Sequence, residues 1–440
     1  MKKIISALTL GALIGAAAFA DVEINLNLRQ RANLFATANK AGSKTDKAFG
    51  FLDAYSGAGT DNMAISLSGD IAAFDMTLTT DESNPSYIRA KRLLASLFLG
   101  PVTLQAGTNA DGIVTGAYRA KSDLDFGNFE GMDFEFKKLG SAFKNSPAGF
   151  VDNLIGHVNN AHGSEYLSFV ANYGLKFNKG AATLKAAMVT NESTSTKKAD
   201  AGANSTAHAQ GHQFSFIADG RMDGIGQAEA VFKVGEYKSG KTAMAFALYA
   251  QPSIKNLILT AGGAVGVVDY DVSDVSFDLR ARYQAIPKKL SITSFHSFSF
   301  MTADGIKAIG SNETTKGIAN NDGSADGKHG GSTVKRDKIL SNNLMVRYNV
   351  NDTLSVYAIA ADMVGLGKNL DKEIKTAKGD DAGAQVQLRF SGWVQFFATK
   401  SASINVGVVC SVDDVGNYMD IDDHLCSWNW SVPMILRIKF

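Results

Sequence analysis

Cysteine and proline are scarce in this chain of 440 residues, which contains two Cys and six Pro. Long apolar runs are also missing after the first twenty residues, since none approaches the ~20 residues that a membrane-spanning helix needs. A bundle of transmembrane helices is therefore not expected. An excess of charge of one sign is missing too, because the 44 Lys and Arg nearly balance the 43 Asp and Glu. Such a balance gives no support for binding nucleic acid.

Sequence patterns for catalysis and for cofactor binding are absent as well. No glycine-rich phosphate loop, nucleophile elbow or Cys-x-x-Cys pair occurs, so we expect neither enzyme activity nor a cofactor. His208 and His212 stand four apart in a Ser/Ala/Gly-rich segment that we interpret as a surface loop. Asp322 to Asp326 match the first half of a calcium-binding loop, but its twelfth position is Thr333 rather than Glu. We therefore expect no metal site.

The first twenty residues differ in character from the rest of the chain. Two Lys precede an apolar stretch, and the tripeptide at 18–20 has the small-x-small pattern of a signal-peptidase site. This pattern predicts a cleaved signal peptide over residues 1–20 and a single mature domain over residues 21–440. Alternation of apolar and polar residues begins at Val22, so we expect no N-terminal plug domain.

A period of two in hydrophobicity dominates the mature chain and predicts β-strands with one apolar and one polar face. Residues 275–283, for example, carry Val, Phe, Leu, Ala and Tyr at odd positions and Ser, Asp and Arg at even positions. In a soluble sandwich the apolar face would be the core and the polar face would meet solvent. Alternation alone therefore leaves a soluble sandwich and a membrane barrel open.

The connections between the predicted strands alternate in length, which favours the barrel. Short ones fall at 100–101, 178–180, 251–255, 285–288, 351–352 and 400–402, and long polar ones at 109–122, 138–165, 191–211, 302–338, 363–382 and 412–426. Short periplasmic turns and long external loops are typical of outer-membrane barrels. We predict an all-β fold, a closed antiparallel transmembrane β-barrel of 16–20 strands. Segment 43–60 would make the strand number odd, so we assign it to the first external loop.

The last strand carries the clearest membrane signature. Every second residue counting back from the terminal Phe is large and apolar, and the set is Phe440, Ile438, Leu436, Met434, Val432, Trp430 and Trp428. Two Trp at one end and a Phe at the other match a strand whose aromatic rings lie at the two membrane interfaces. Pro433 lacks an N–H, so we expect it to face a bulge or to interrupt the ladder of hydrogen bonds.

The signal peptide and this terminal strand resemble those of the Gram-negative outer-membrane porins. The residues that look like the signal read by the barrel-assembly machinery are Trp430, Val432, Leu436, Ile438 and Phe440. The resemblance implies insertion into outer-membrane lipid, a water-filled lumen for small hydrophilic solutes and ions, and often a homotrimer. By its order in the chain, the segment from Asn109 to Lys121 corresponds to the external loop that narrows the lumen in that family.

Strand parity directs eight basic residues to the polar, inward face. We call them the basic wall, and they are Arg29, Arg31, Arg280, Arg282, Arg347, Arg389, Arg437 and Lys439. Because the first and last strands of a closed barrel are neighbours, these residues would line one continuous surface. Arg suits carboxylate or phosphate groups moving along a pore, so we predict attraction of anions, with Asp133 and Glu135 on an opposing acidic side. Alternatively, the side chains fill a wide lumen and pair with Asp278 and loop carboxylates.

The two cysteines fall on outward rows on either side of the connection 411–425. Placed opposite each other at the foot of one hairpin, Cys410 and Cys426 would form a cross-strand disulfide. It would contribute roughly 3 kcal/mol by loop-closure estimates. Two free thiols are the alternative. The connection between them is rich in Asp, which we interpret as a solvated acidic loop rather than a calcium site.

Two functions other than a channel remain open from the sequence. The barrel could serve as a surface adhesin or antigen through its long loops, chiefly 138–165, 191–211 and 302–338. It could also be an outer-membrane hydrolase, which would require Asp422, Asp423 or His424 to pair with another polar group at the rim.

Overall fold

A computed structural model describes the residues 21–40, 43–47, 50–51, 62–80, 88–108, 167–192, 210–236, 242–268, 270–302, 336–369, 385–413 and 427–439. No helix within these ranges is long and apolar enough to cross a membrane. The predicted signal peptide lies outside them.

The described residues form twenty strands. The first ten are β1 (Asp21–Lys40), β2 (Ser43–Lys47), β3 (Gly50–Phe51), β4 (Asn62–Ser68), β5 (Ala72–Thr80), β6 (Ile88–Leu99), β7 (Val102–Thr108), β8 (Leu167–Phe177), β9 (Gly180–Glu192) and β10 (Gln210–Met222). The others are β11 (Gly226–Glu236), β12 (Thr242–Ile254), β13 (Leu257–Val268), β14 (Asp271–Ile286), β15 (Leu290–Met301), β16 (Arg336–Asn349), β17 (Leu354–Asn369), β18 (Gln385–Thr399), β19 (Ala402–Asp413) and β20 (Ser427–Lys439).

Eighteen of these strands close an antiparallel barrel. From β4 to β20 each strand pairs with the next in the chain, and β1 closes the ring by pairing with both β20 and β4. The short strands β2 and β3 pair with the part of β1 that extends beyond β4. The predicted closed barrel is confirmed. Segment 43–60 belongs to the connection between β1 and β4, in which β2 and β3 fold back onto β1.

Charged side chains are buried inside the barrel and large apolar side chains are exposed on its outside, the opposite of a soluble protein. Buried side chains include Glu229, Lys233 and Arg280, whereas large exposed ones are apolar, such as Phe277 at 57% and Leu248 at 64%. A soluble sandwich would bury its apolar rows instead. An apolar outer surface on a barrel without free strand edges is what lipid requires. The structure thus resolves the alternative left by the sequence in favour of a transmembrane barrel.

Turns at one end of the barrel are short, as predicted. They fall at 69–71, 100–101, 178–179, 223–225, 255–256, 287–289, 350–353 and 400–401. Connections at the other end are longer, apart from the two residues between β13 and β14, and the longest join β7 to β8 and β15 to β16. β7 pairs directly with β6 and with β8, so residues 109–166 form a single connection. The prediction of separate connections at 109–122 and 138–165 is therefore wrong, because both edges of β7 are occupied.

Pro433 disturbs the seam between the last and first strands. On the β1 side the register shifts between Asn33 and Phe35, so Leu34 is an extra residue that forms a bulge opposite the proline. On the β19 side the ladder is interrupted at the same level. Both features follow from the missing N–H of proline, as expected from the sequence.

Candidate functional site: the inner wall of the barrel

The inward face of β14 to β18 brings several members of the basic wall together. Arg280 is buried, and Arg282 and Arg347 are half-buried. Arg280 lies directly across from Phe295, and Arg282 directly across from Thr293, which is itself buried. The outward row of β14 is exposed and apolar. The parity assigned to residues 275–283 therefore matches the structure.

The seam supplies a second group of basic residues. Arg437 is half-buried, and its Nε donates a hydrogen bond of 2.9 Å to Asn27 Oδ1 on β1. Arg29 is the direct pairing partner of Arg437, and Arg31 pairs with Ile435. Lys439 ends β20 with an exposed side chain. The backbone of the seam thus brings the basic positions of the first and last strands side by side.

Arg389 lies on β18, between β17 and β19. It pairs with Ala361 on β17 and with Ser411 on β19. Two residues further along the same strand, Ser391 is buried on the inward face. The strand therefore continues the wall between β16 and the seam.

Several polar atoms of this wall have spare hydrogen-bonding capacity. Among the described residues, Arg282 Nε, Thr293 Oγ1, Asn343 Oδ1 and Ser391 Oγ are buried and make no hydrogen bond within the protein. Buried polar atoms are usually satisfied by protein or by water. These four atoms lie on β14, β15, β16 and β18, along one side of the inner wall.

Next to these atoms lies a stack of three side chains, Arg347, Tyr357 and Trp393, which we call the aromatic row. They are direct pairing partners on β16, β17 and β18. The rings of Tyr357 and Trp393 are parallel within 3°, with centroids 4.6 Å apart. Arg347 Cζ lies 5.3 Å from the centroid of the Tyr357 ring, within the range of a cation–π interaction. The stack therefore holds a guanidinium group against a flat aromatic surface.

Hydrogen bonds orient two members of the aromatic row, Tyr357 and Arg347. The Tyr357 hydroxyl donates to Gln395 Oε1 at 2.9 Å. Arg347 Nε donates to Asn349 Oδ1 at 2.9 Å, and the Ser355 hydroxyl donates to the same oxygen. The partner of Arg347 is a neutral amide, so this bond orients the guanidinium without neutralising it.

A second charged group lies on the inward faces of β9 to β11, away from the basic wall. Asp219 and Glu229 are direct pairing partners, and Glu229 and Lys233 are buried. Lys185 on β9 is attracted by both carboxylates. Parity along β11 would have predicted this group, since the alternation that directs Ala228 and Ala230 outward also directs Glu229 inward. The same extension of parity along β18 would have found Trp393 and Gln395.

Other residues singled out from the sequence lie outside the described residues. They are Asp133, Glu135, the segment Asn109 to Lys121, His208, the calcium-loop match at 322–333, the hydrolase candidates Asp422, Asp423 and His424, Cys426 and Phe440. For the assembly signal, the structure describes the backbone of Trp430 on β20. It also shows Leu436 on the outer, lipid-facing surface, with Val432 and Ile438 half-buried.

Cys410 lies on β19, where it pairs directly with Trp430 on β20. Cys426 lies outside the described residues, so the disulfide between the two cysteines stays a prediction.

No family model and no curated protein matches this chain. It is similar in structure to the anion-selective porin from Comamonas acidovorans, with 14% identity, a TM-score of 0.48, and coverage of 96% of this chain and 100% of that one. It is also similar to Pseudomonas aeruginosa OccK8 (OprE), with 9% identity, a TM-score of 0.47, and coverage of 96% and 98%. For the outer membrane channel DcaP of Acinetobacter baumannii the values are 11%, 0.44, 96% and 98%. At such identities the likeness is one of architecture.

Proposed function

We propose that this chain forms an outer-membrane channel through which small hydrophilic solutes and ions diffuse passively, with a preference for anions and carboxylates. The observation that carries the proposal is the inward orientation of Arg280, Arg282 and Arg347 beneath an apolar outer surface. Lipid faces the outside of such a barrel. Charged side chains on the inward face therefore act on the solutes that pass through the lumen. No chemical step is part of this function.

Arg347 supports an attraction for anions rather than a filling role. Within the described part of the chain, the groups that hold it are the amide oxygen of Asn349 and the ring of Tyr357, and both are neutral. The guanidinium therefore keeps its charge and its remaining N–H donors. A carboxylate matches that fork of donors in shape and charge.

Charge removal in the lumen tests the proposal. In planar bilayers the purified protein should give large stable conductance steps, and the double variant Arg280→Gln/Arg282→Gln should lower the chloride-to-potassium permeability ratio. We expect a decrease of about two- to five-fold, because charges near a protein surface interact by about 1 kcal/mol or more at a few ångströms.

Lys338→Gln is the matched control, because Lys338 lies over the Phe300 ring on the outer surface, 5.7 Å from its centroid. It removes a positive charge without changing the lumen, so its permeability ratio should equal that of the wild type. Equal effects of the inward and outward variants would contradict the proposal. A barrel that gives no conductance would favour the surface-antigen alternative.

A further inference from the structure

Exposed apolar residues mark the edge of the lipid-facing surface that lies next to the short turns. On β8 to β15 this edge includes Phe177, Ile254 and Ile286, and all three are exposed. On the remaining strands Ile71 and Val350 mark the same edge and are exposed as well. The hydrocarbon layer of the membrane therefore ends at the level of the short turns all round the barrel.

Four consecutive short turns form a basic side of this edge. They join β8 to β9, β10 to β11, β12 to β13 and β14 to β15, and their exposed lysines are Lys179, Lys255, Lys288 and Lys289. We call these four lysines the basic arc. The turn between β10 and β11 holds the acidic Asp223, whose Oδ1 lies 3.8 Å from Arg221 Nε, so these two charges balance. Four lysines therefore give this side a formal charge of +4.

The other four short turns differ in charge. Asp70 lies in the turn between β4 and β5, and Asp352 in the turn between β16 and β17, while the turn between β6 and β7 has no charged residue. Lys400, between β18 and β19, is the one basic residue of these four turns. Two acidic residues and one basic residue give a formal charge of −1. The same apolar edge is thus bordered by opposite charge on its two sides.

The lysines of the basic arc lie at the depth of lipid headgroups. Lys255 directly follows Ile254, and Lys179 comes two residues after Phe177. Two strand residues span about 7 Å. The headgroup layer on each side of a bilayer is about 5–8 Å deep. A lysine at this level lays its apolar stem along the barrel and places its ammonium group among the lipid phosphates.

We propose that the basic arc binds the phosphate groups of anionic phospholipids in the leaflet next to the short turns, so that anionic lipid collects along β8 to β15. Each ammonium group donates hydrogen bonds to phosphate oxygens, and the exposed apolar residues beside it contact the acyl chains. A zwitterionic headgroup is attracted less, because its own cation is repelled by the arc. This lipid site is independent of conduction, so its test needs no channel measurement.

Quenching of tryptophan by brominated lipid measures which lipid touches each side of the barrel. Phe177→Trp reports on the basic arc and Val350→Trp on the opposite side, each in a Trp428→Phe/Trp430→Phe background. Trp393 is buried on the inner wall and contributes equally to both proteins. The readout is quenching by a minor fraction of brominated phosphatidylglycerol in phosphatidylcholine vesicles, divided by quenching by the same fraction of brominated phosphatidylcholine.

We expect this ratio to be about three-fold higher at position 177 than at position 350 in dilute salt, because basic residues near a membrane surface attract anionic lipid. The difference should shrink at high salt, which screens charges at an exposed surface. Heat-dependent gel mobility reports that each barrel is folded. Equal ratios at the two positions in folded barrels would overturn the proposal and would favour a soluble acidic partner for the arc.

Single-charge variants test whether the arc causes the enrichment. In the Phe177→Trp protein, Lys179→Gln should lower the ratio about two-fold, because it removes the ammonium group nearest to the probe in sequence. Lys400→Gln is the matched control, since it removes one lysine from a short turn outside the arc and should leave the ratio unchanged. Equal ratios in the two folded variants would overturn the proposal.

Discussion

Among single residues, Gly407 determines how closely β19 approaches the aromatic row. It pairs with Trp393, and a Cβ atom at this position would lie 2.5 Å from the Cβ of Trp393 and 2.6 Å from the carbonyl oxygen of Gly392. Neither neighbour can move easily, because Trp393 is only 5% exposed and is stacked on Tyr357. Glycine at 407 is thus required by the packing of the site.

We expect Gly407→Ala to lower the free energy of unfolding by about 1–3 kcal/mol, the usual cost of overpacking. Gly392→Ala is the control, because the nearest atom to its Cβ would be the Tyr357 carbonyl oxygen at 3.7 Å, an ordinary contact. That variant should be neutral or more stable by about 0.4–1 kcal/mol through the unfolded state. Urea titration of intrinsic tryptophan fluorescence in lipid vesicles measures both. Similar losses in the two variants would contradict this account of the row.

The sequence predicted where individual residues face better than what they touch. Parity alone directs Arg280 and Arg282 inward and Phe277 and Leu279 outward, and the structure agrees. The stacking of Arg347 on Tyr357 depends on the register between β16 and β17, which no local pattern contains.

For the elements, the tight turn between β16 and β17 shows how a local sequence defines a strand end. Asn351 Oδ1 accepts hydrogen bonds from the backbone N–H groups of Thr353 and Leu354, at 2.9 and 2.8 Å, and from the Thr353 hydroxyl at 3.0 Å. Asn and Asp favour turns because their side chains bond to the backbone two or three residues on. Composition therefore predicted this turn within a residue or two.

Asn351→Ala should lower the free energy of unfolding by about 1–2 kcal/mol, because it leaves these donors without their acceptor. Asn351→Asp keeps the acceptor oxygen and should retain most of the stability. Asp352→Ala, at the exposed neighbouring position, should have little effect. The same urea titration checks all three, and a loss for Asp352→Ala as large as that for Asn351→Ala would contradict the assigned role.

Strand number was harder to predict than turn position. Barrel strands range from 7 residues in β4 to 20 residues in β1. The single connection 109–166 has the length of more than two average strands with their turns. Average spacing along the chain therefore could not separate 16, 18 and 20 strands. The effect of Pro433 was easier to predict than the strand number, since a missing N–H interrupts the ladder of hydrogen bonds at the seam.

For the whole molecule, the inversion of polarity is the feature that both sequence and structure express most clearly. Alternation predicted two faces, and the lengths of the connections indicated which face meets lipid. The side chains that fill the interior were harder to predict from the sequence, because inward rows contain apolar residues such as Phe295 and Ile359 beside the charged ones. The result is an interior that combines charged side chains with large apolar ones, with the basic wall on one side.

We propose that the basic wall makes this barrel an anion-preferring channel. The most direct test is the reversal potential of the reconstituted wild-type protein in a KCl gradient. We expect chloride to diffuse faster than potassium, so the dilute side should become negative relative to the concentrated side. A dilute side that becomes positive would show cation preference and would contradict the account.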